Sequence, residues 1–274
     1  MTGYATVTAA MMNYSDPVIL IAGALILGFF LSCLLPMMHE AVHGNITGTP
    51  HGNLIWGCIA ATPLLISFPV YRAYHISHHT YLGTPSDPED PMQITGLSDY
   101  ASFLSPRYFL LQFWKLSAMV TARHAPEWLS PRDTAKARQI WFFSCIPFAI
   151  ALLALTVANP GEMACVYWAP LMLSGGWMFV TTLHEHFNPT TEGISTNSIR
   201  SRKLASFFLW NTNHHVAHHR ASKLHFSQLR DREAALADSA ALTSRENIWP
   251  SFTAYHLAVI SKLVNSPAGR GVNQ

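Results

Sequence analysis

The stretches 39-HEAVH-43, 75-HISHH-79 and 215-HVAHH-219 decide how this chain reads. On a helix, positions i, i+3 and i+4 share one face, so HxxxH and HxxHH each aim two or three imidazoles at one point. Neutral imidazole is the commonest metal ligand among side chains. A further cluster, LHEHF, carries His184 and His186, and His214 stands directly before the last box. Three of these clusters lie beside long apolar runs. Together they predict a polyhistidine metal centre at a membrane surface.

Composition supports the membrane half of that reading. Half of the 274 residues are apolar and 12% are charged, against roughly 25% charged in ordinary soluble domains. The four cysteines (Cys33, Cys58, Cys145 and Cys165) are scattered through apolar segments with no CxxC pair, and read as buried, inert thiols. A net charge of +2 points to no nucleic-acid partner. There is no internal repeat and no low-complexity tract.

Val18–Met38, Gln139–Ala158 and Met163–Thr182 each approach the ~20 residues that a bilayer crossing needs. Asn53–Val70 is apolar too, but carries Pro63 and Pro69 and joins the first two histidine clusters. If it crossed, His39 and His43 would end on the opposite face from His75, His78 and His79. It is therefore read as an interfacial or re-entrant element over 53–70. Residues 1–17 and the turn at 159–162 then lie outside. All 17 lysines and arginines, and every histidine, fall in 39–138 or 184–274, the side that an excess of basic residues marks as cytoplasmic. The N-terminus has no basic region or small-residue cleavage site, so a retained first helix is expected. Residues 106–120 read as an amphipathic surface helix. The expected fold is one all-α integral membrane domain over 1–274. It has about three to four transmembrane helices, interfacial helices, and a cytoplasmic histidine-rich cap and tail over 184–274 that holds the metal site.

Each cluster has a competing reading. HEAVH is also HExxH, which on a helix presents two zinc ligands and a glutamate base. A zinc protease needs one further ligand, which leaves the other clusters without a role. A carboxylate-bridged di-iron bundle needs two ExxH pairs, and Glu40–His43 supplies one. Asp87, Glu89 and Asp90 follow HISHH and either orient ligand imidazoles or belong to a solvated loop. Either His184 or His186 could be a ligand, and His184 is preferred because it continues the helix. Asn211 lies four residues before His215 and either holds a metal-bound water or serves in a turn. His51, His124, His225 and His256 stand alone and read as ordinary polar residues. Trp56, Phe68, Trp114, Trp177 and Phe179 could line a tunnel, although core or interface positions are the favoured account of each.

As an ordered set, HEAVHG, YRAYHISHHTYLG and NTNHHVAHHR, with an extra histidine between the second and third, resemble the membrane fatty acid desaturase superfamily from about His39 to Arg220. The resemblance implies a non-haem centre of two Fe ions held by His39, His43, His75, His78, His79, His184, His215, His218 and His219. Asn211 would match an asparagine near one metal. It also implies O2 as co-substrate and a hydrocarbon chain in a bent tunnel. With no HPGG-type haem motif, electrons would come from a separate donor, a ferredoxin or cytochrome b5 type with its reductase. Family members usually have two crossings before the first box, where one is counted here. The expected function is an acyl-lipid desaturase that introduces a C=C bond, in a multi-pass membrane protein with its active site on the cytoplasmic face. The alternatives are a hydroxylase or ketolase of the same fold acting on carotenoid, alkane or acyl chains. From another class come an HExxH zinc intramembrane protease and a non-redox metal-binding membrane protein. Arg72, Arg107 and Lys115 could meet an acidic head group or donor.

Overall fold

Asp16 starts the first long apolar helix. Its carboxylate accepts from the Val18 N–H, and Pro17 takes the first helical position, where no donor is needed. The computed structural model describes residues 2–14, 16–89, 94–104, 111, 130–190, 195–238 and 242–265. Helix α1 (Thr2–Met12) precedes α2 (Pro17–Ser32), and Met11 is buried beneath Gly23, where a Cβ would sit 2.4 Å from its sulfur. The stretch expected only as an outside tail is thus mostly helix laid against α2. Through Cys33 the chain passes into α3 (Leu34–His43), which carries the first histidine box and ends at Gly44 with φ 84°. Glycine adopts that left-handed cap without steric cost.

Helix α4 (Pro50–Ala61) starts at Thr49, whose hydroxyl accepts from the Gly52 N–H. It runs through a 3-10 turn to Leu64 and then meets α5 (Phe68–Tyr81) at a bend of 104°. Pro63, Pro69 and Leu65 in the left-handed region (φ 58°) make the elbow. Gly57 lets α4 close on it, because a Cβ there would stand 2.3 Å from the Phe68 ring. The elbow returns the chain to the end of α3, so that HISHH faces HEAVH.

After the short α6 (Leu97–Phe103) comes α7 (Pro131–Ala158), capped by Ser130 on the Asp133 N–H. Helix α8 (Pro160–Met163) leads into a π-helical stretch at Ala164–Trp168 and then α9 (Ala169–Thr182). Pro170 lacks an N–H and crowds the carbonyl four residues back, which accounts for the widened turn before it. Among the described residues three helical runs are long and apolar enough to cross a membrane: Pro17–His43, Arg132–Ala158 and Pro160–Glu185. They contain the three segments expected from sequence. Gly28 allows α2 and α9 to touch, since a Cβ would lie 3.0 Å from the Pro170 carbonyl and 3.1 Å from Leu173 Cβ.

The remainder is β1 (Thr196–Ile199), α10 (Lys203–Phe208), α11 (His215–Arg220), α12 (Phe226–Asp238), β2 (Glu246–Trp249) and α13 (Phe252–Asn265). The strands pair in parallel, from Thr196 beside Glu246 to Ile199 beside Trp249. This ribbon is an addition to the all-α expectation. One core, with Met38, Leu64, Phe68 and Leu171, supports α3, α4 and α5. A second, with Phe103, Phe179, Ile199 and Tyr255, ties the end of α9 to β1 and α13. The surface helix expected over 106–120, with Arg107, Trp114 and Lys115, lies outside the described residues apart from Leu111, as do Asp90 and His124.

Candidate metal centre

Helical geometry does more than converge each box. Residues i and i+4 lie about 40° apart around a helix, while i+3 falls on the other side of i. The structure uses that split. His75 and His79 turn to one group with His39, His43 and His218. From the same helix His78 turns to a second group with His186 and His219. His215 joins the second group, its Nε2 3.0 Å from the Nε2 atoms of both His186 and His219. So α5 gives its i,i+4 pair to the first group and its i+3 residue to the second, and α11 does the reverse. The sequence expectation that each box aims at a single point is corrected accordingly. The His79 and His219 rings stack at 4.3 Å between centroids and link the two groups.

The nitrogens are spaced as ligands would be. His79 Nε2 lies 3.0 Å from Nε2 of both His75 and His218. One ring nitrogen has one proton or one lone pair, so it cannot bond both neighbours as an ordinary network. Two nitrogens about 2.1 Å from one ion and at right angles are themselves about 3.0 Å apart. His43 Nε2 and His78 Nε2 are buried with no hydrogen-bond partner. Burial first, and neighbouring imidazoles second, push His215, His218 and His219 well below the ordinary histidine value, and His186 is lowered to about 3. Neutral rings with free lone pairs suit a cation, and both groups could hold one.

The surroundings orient the rings. Asp87 accepts from His78 Nδ1 at 2.9 Å, so that Nε2 is the atom left facing the second group. Glu89 lies 3.5 Å from His75 Nδ1 and 3.6 Å from His78 Nδ1. Both acidic residues were candidates for this role from sequence. The Ser195 carbonyl accepts from His186 Nδ1 at 3.3 Å. Glu40, the would-be base of HExxH, is buried and accepts from the Phe226 N–H at 3.1 Å, capping α12. Three further imidazoles share the site of His39 and His43, unlike the single extra ligand of a zinc protease.

One site preference changes, and Asn211 takes one of its two readings. The chain tightens to a 3-10 turn over Leu183–Glu185, which rotates His186 into the second group. His184 instead packs between Phe252 and Tyr255 in the second core. Asn211 is not on the helix of the third box, which begins at His215. It sits in the preceding turn at φ 52°, beside Trp210 at φ 53°, its N–H bonded to the Ser206 carbonyl. Sequence reasoning left His214 as a spare and missed its partner. Its Nδ1 meets buried Glu233 at 2.6 Å, a pairing across 19 residues with no local signal. His256, expected to be ordinary, bridges the Tyr100 hydroxyl and the Val180 carbonyl.

A cavity of about 160 Å³ touches both groups through His39, His75, His218, His186 and His215. Ser32, Thr181, Thr182 and Thr212 also line it, but each hydroxyl donates to a carbonyl of its own chain three or four residues back. Of the aromatic tunnel candidates, Trp177 reaches the cavity. Phe68 and Phe179 are core residues and Trp56 is exposed.

A family model described as Fatty acid desaturase matches residues 16–249. No curated protein matches the chain.

Proposed function

The chain belongs to the fatty acid desaturase family, and from that premise we propose that it is an O2-dependent membrane di-iron oxidase that introduces a C=C bond into an acyl-lipid chain. The observation that carries the proposal is the crossed set of nine imidazoles beside one cavity. His39, His43, His75, His79 and His218 would hold one ion, and His78, His186, His215 and His219 the other. When bound, such ions supply the one-electron and O2 chemistry that side chains lack.

The protein's own groups do the rest. Asp87 keeps a proton on His78 Nδ1 and so fixes which nitrogen faces the second site. The threonine hydroxyls of the cavity are turned to their own backbone, which leaves their methyl groups beside Leu35, Trp177 and Phe208 for a hydrocarbon. That positions an unactivated methylene beside the histidines. The charge asymmetry of the sequence favours a cytoplasmic site, to which a separate small redox protein would deliver two electrons.

The test is metal stoichiometry of the detergent-purified protein together with lipid analysis of an expressing host. Two transition metals per chain, lost in a His215→Ala, His218→Ala variant, and new chain unsaturation are expected. An added oxygen in the product would replace the desaturase with a hydroxylase of the same fold. One zinc that the double variant retains would overturn the di-iron reading.

A further inference from the structure

Helix α12 carries none of the nine imidazoles, yet two buried carboxylates are committed to it. Glu40, inside the first box, is 2% exposed and accepts from the Phe226 N–H at the helix start. Glu233, about two turns along, is 4% exposed and accepts from Nδ1 of His214 at 2.6 Å. Asn45 adds a second tie at the first end, where its Nδ2 donates to the carbonyls of Ser222 and Leu224 at 3.3 Å each. Between the two ends, Leu229 and Leu236 pack with Ala217 of the third box.

Stability alone does not ask for these acids. Replacing a buried ion pair with apolar residues of similar size is often neutral or favourable. The second oxygen of Glu233 is buried with no hydrogen-bond partner among the described residues, which is a cost. What the carboxylates supply is direction. One fixes how α12 meets α3, and the other fixes the ring that precedes α11. The far edge of that ring is held as well, its Nε2 3.4 Å from the Ser206 hydroxyl.

The crossed histidines give that direction a use. Helices α3 and α5 share one core and supply four donors of the first group but only His78 of the second. The turn after α9 and helix α11 supply His186, His215 and His219 of the second group but only His218 of the first. Strand β1 holds this latter set together. Asn197 Nδ2 donates to the His184 carbonyl at 2.8 Å, and Ser198 Oγ accepts from the Val216 N–H at 2.9 Å. Helix α12 ties one set to the other.

We propose that Glu40 and Glu233 are positioning residues that make α12 a strut between the two sets, so that His218 reaches the first group and His78 the second. This rests on reading the two groups as metal sites. Glu40 Oε1 also stands 3.7 Å from His39 Nδ1, so the test leaves Glu40 itself intact.

Cobalt(II) serves as the probe, added to the metal-free full chain in detergent and withdrawn with graded chelator. Glu233→Leu removes the bond to His214. Phe226→Pro removes the N–H that Glu40 accepts, at a first helical position where proline is tolerated, and Phe226→Ala controls for the lost ring. Glu233→Leu, and Phe226→Pro relative to Phe226→Ala, should each release both ions together at about tenfold less chelator. Either substitution suffices if the other fails to fold. Glu233→Gln still accepts from His214 and should hold cobalt as the natural chain does. Unchanged cobalt affinity beside a lowered unfolding midpoint would reduce α12 to a packing element and overturn the proposal, as would the weakening of one ion alone. Hydrogen exchange of the metal-free chain is the second measurement. Amides of α11 should exchange faster in Glu233→Leu while those of α5 keep their natural rate, and unchanged exchange in α11 would also overturn the strut. If the variants show that exchange but the natural chain binds no pair of cobalt ions, the metal-site reading falls and the strut stands.

Discussion

Asp87 acts on the metal centre through one hydrogen bond, to Nδ1 of His78 at 2.9 Å. Asp87→Asn removes the charge that favours that tautomer, and loss of such a partner typically weakens metal binding by about 10–100-fold. Dialysis against graded chelator should strip one ion from the variant well before the other, and two ions released together at the natural concentration would remove Asp87 from this role. His184 and His186 make a paired test. His186→Ala should lose metal from the second group, whereas His184→Ala should keep both ions and lose about 1–3 kcal/mol of stability from the second core. The reverse pattern would restore the ligand expected from sequence. The boxes were legible because HxxxH and HxxHH follow the helical period. The choice of His186 over His184 was not, because the helix ends at Thr182 and the 3-10 turn after it changes the rotation per residue. Of the two readings of Asn211 the structure has the turn, since Trp210 and Asn211 both adopt left-handed backbone before the helix begins at His215.

Between elements, α2 and α9 cross closely at Gly28. Gly28→Leu would force its side chain into the Pro170 carbonyl and Leu173, costing about 1–3 kcal/mol. A lower midpoint in thermal unfolding of the detergent-solubilised protein checks this, and an unchanged midpoint would mean that the helices part freely. Helix α11 is tied to β2 by Arg220, which donates to Glu246 from Nε at 2.7 Å and from Nη2. Burial raises the Glu246 carboxyl, but the Arg220 hydrogen bond and the Thr243 N–H outweigh it and hold the group below its ordinary value. A carboxyl depressed on folding stabilises above its unfolded value and loses that contribution as pH falls through the folded one. At neutral pH, Glu246→Gln should cost about 1 kcal/mol or less. The gap to the natural protein should close on acidification below about pH 4. A gap that widens on acidification would contradict this sign. The apolar runs and the proline elbow were readable from length and from the need to reunite the first two boxes. The parallel ribbon was not, because TNSI and ENIW are four residues each and pair across some 50 positions.

At the scale of the molecule, the two groups clamp α3, α5, α11 and the turn after α9 to one another. Metal that binds only the folded state adds stability by mass action, about 4 kcal/mol at a thousandfold excess over the dissociation constant. Chelation should therefore lower the unfolding midpoint and expose α11 to protease. If neither changed, the histidine scaffold would be held by packing alone. The apolar runs were legible from length and composition, whereas the crossed grouping of the histidines requires knowing how two distant helices face each other. That sharing also ranks the sites in time. Domains emerge from the ribosome N-terminal end first. Once the third apolar run has been made, four of the five donors of one group exist (His39, His43, His75 and His79), while the other owns His78 alone. A nascent chain halted at Thr182 thus carries four donors of one group and a single donor of the other, so if both groups take ions the first would be ready to fill well before the second.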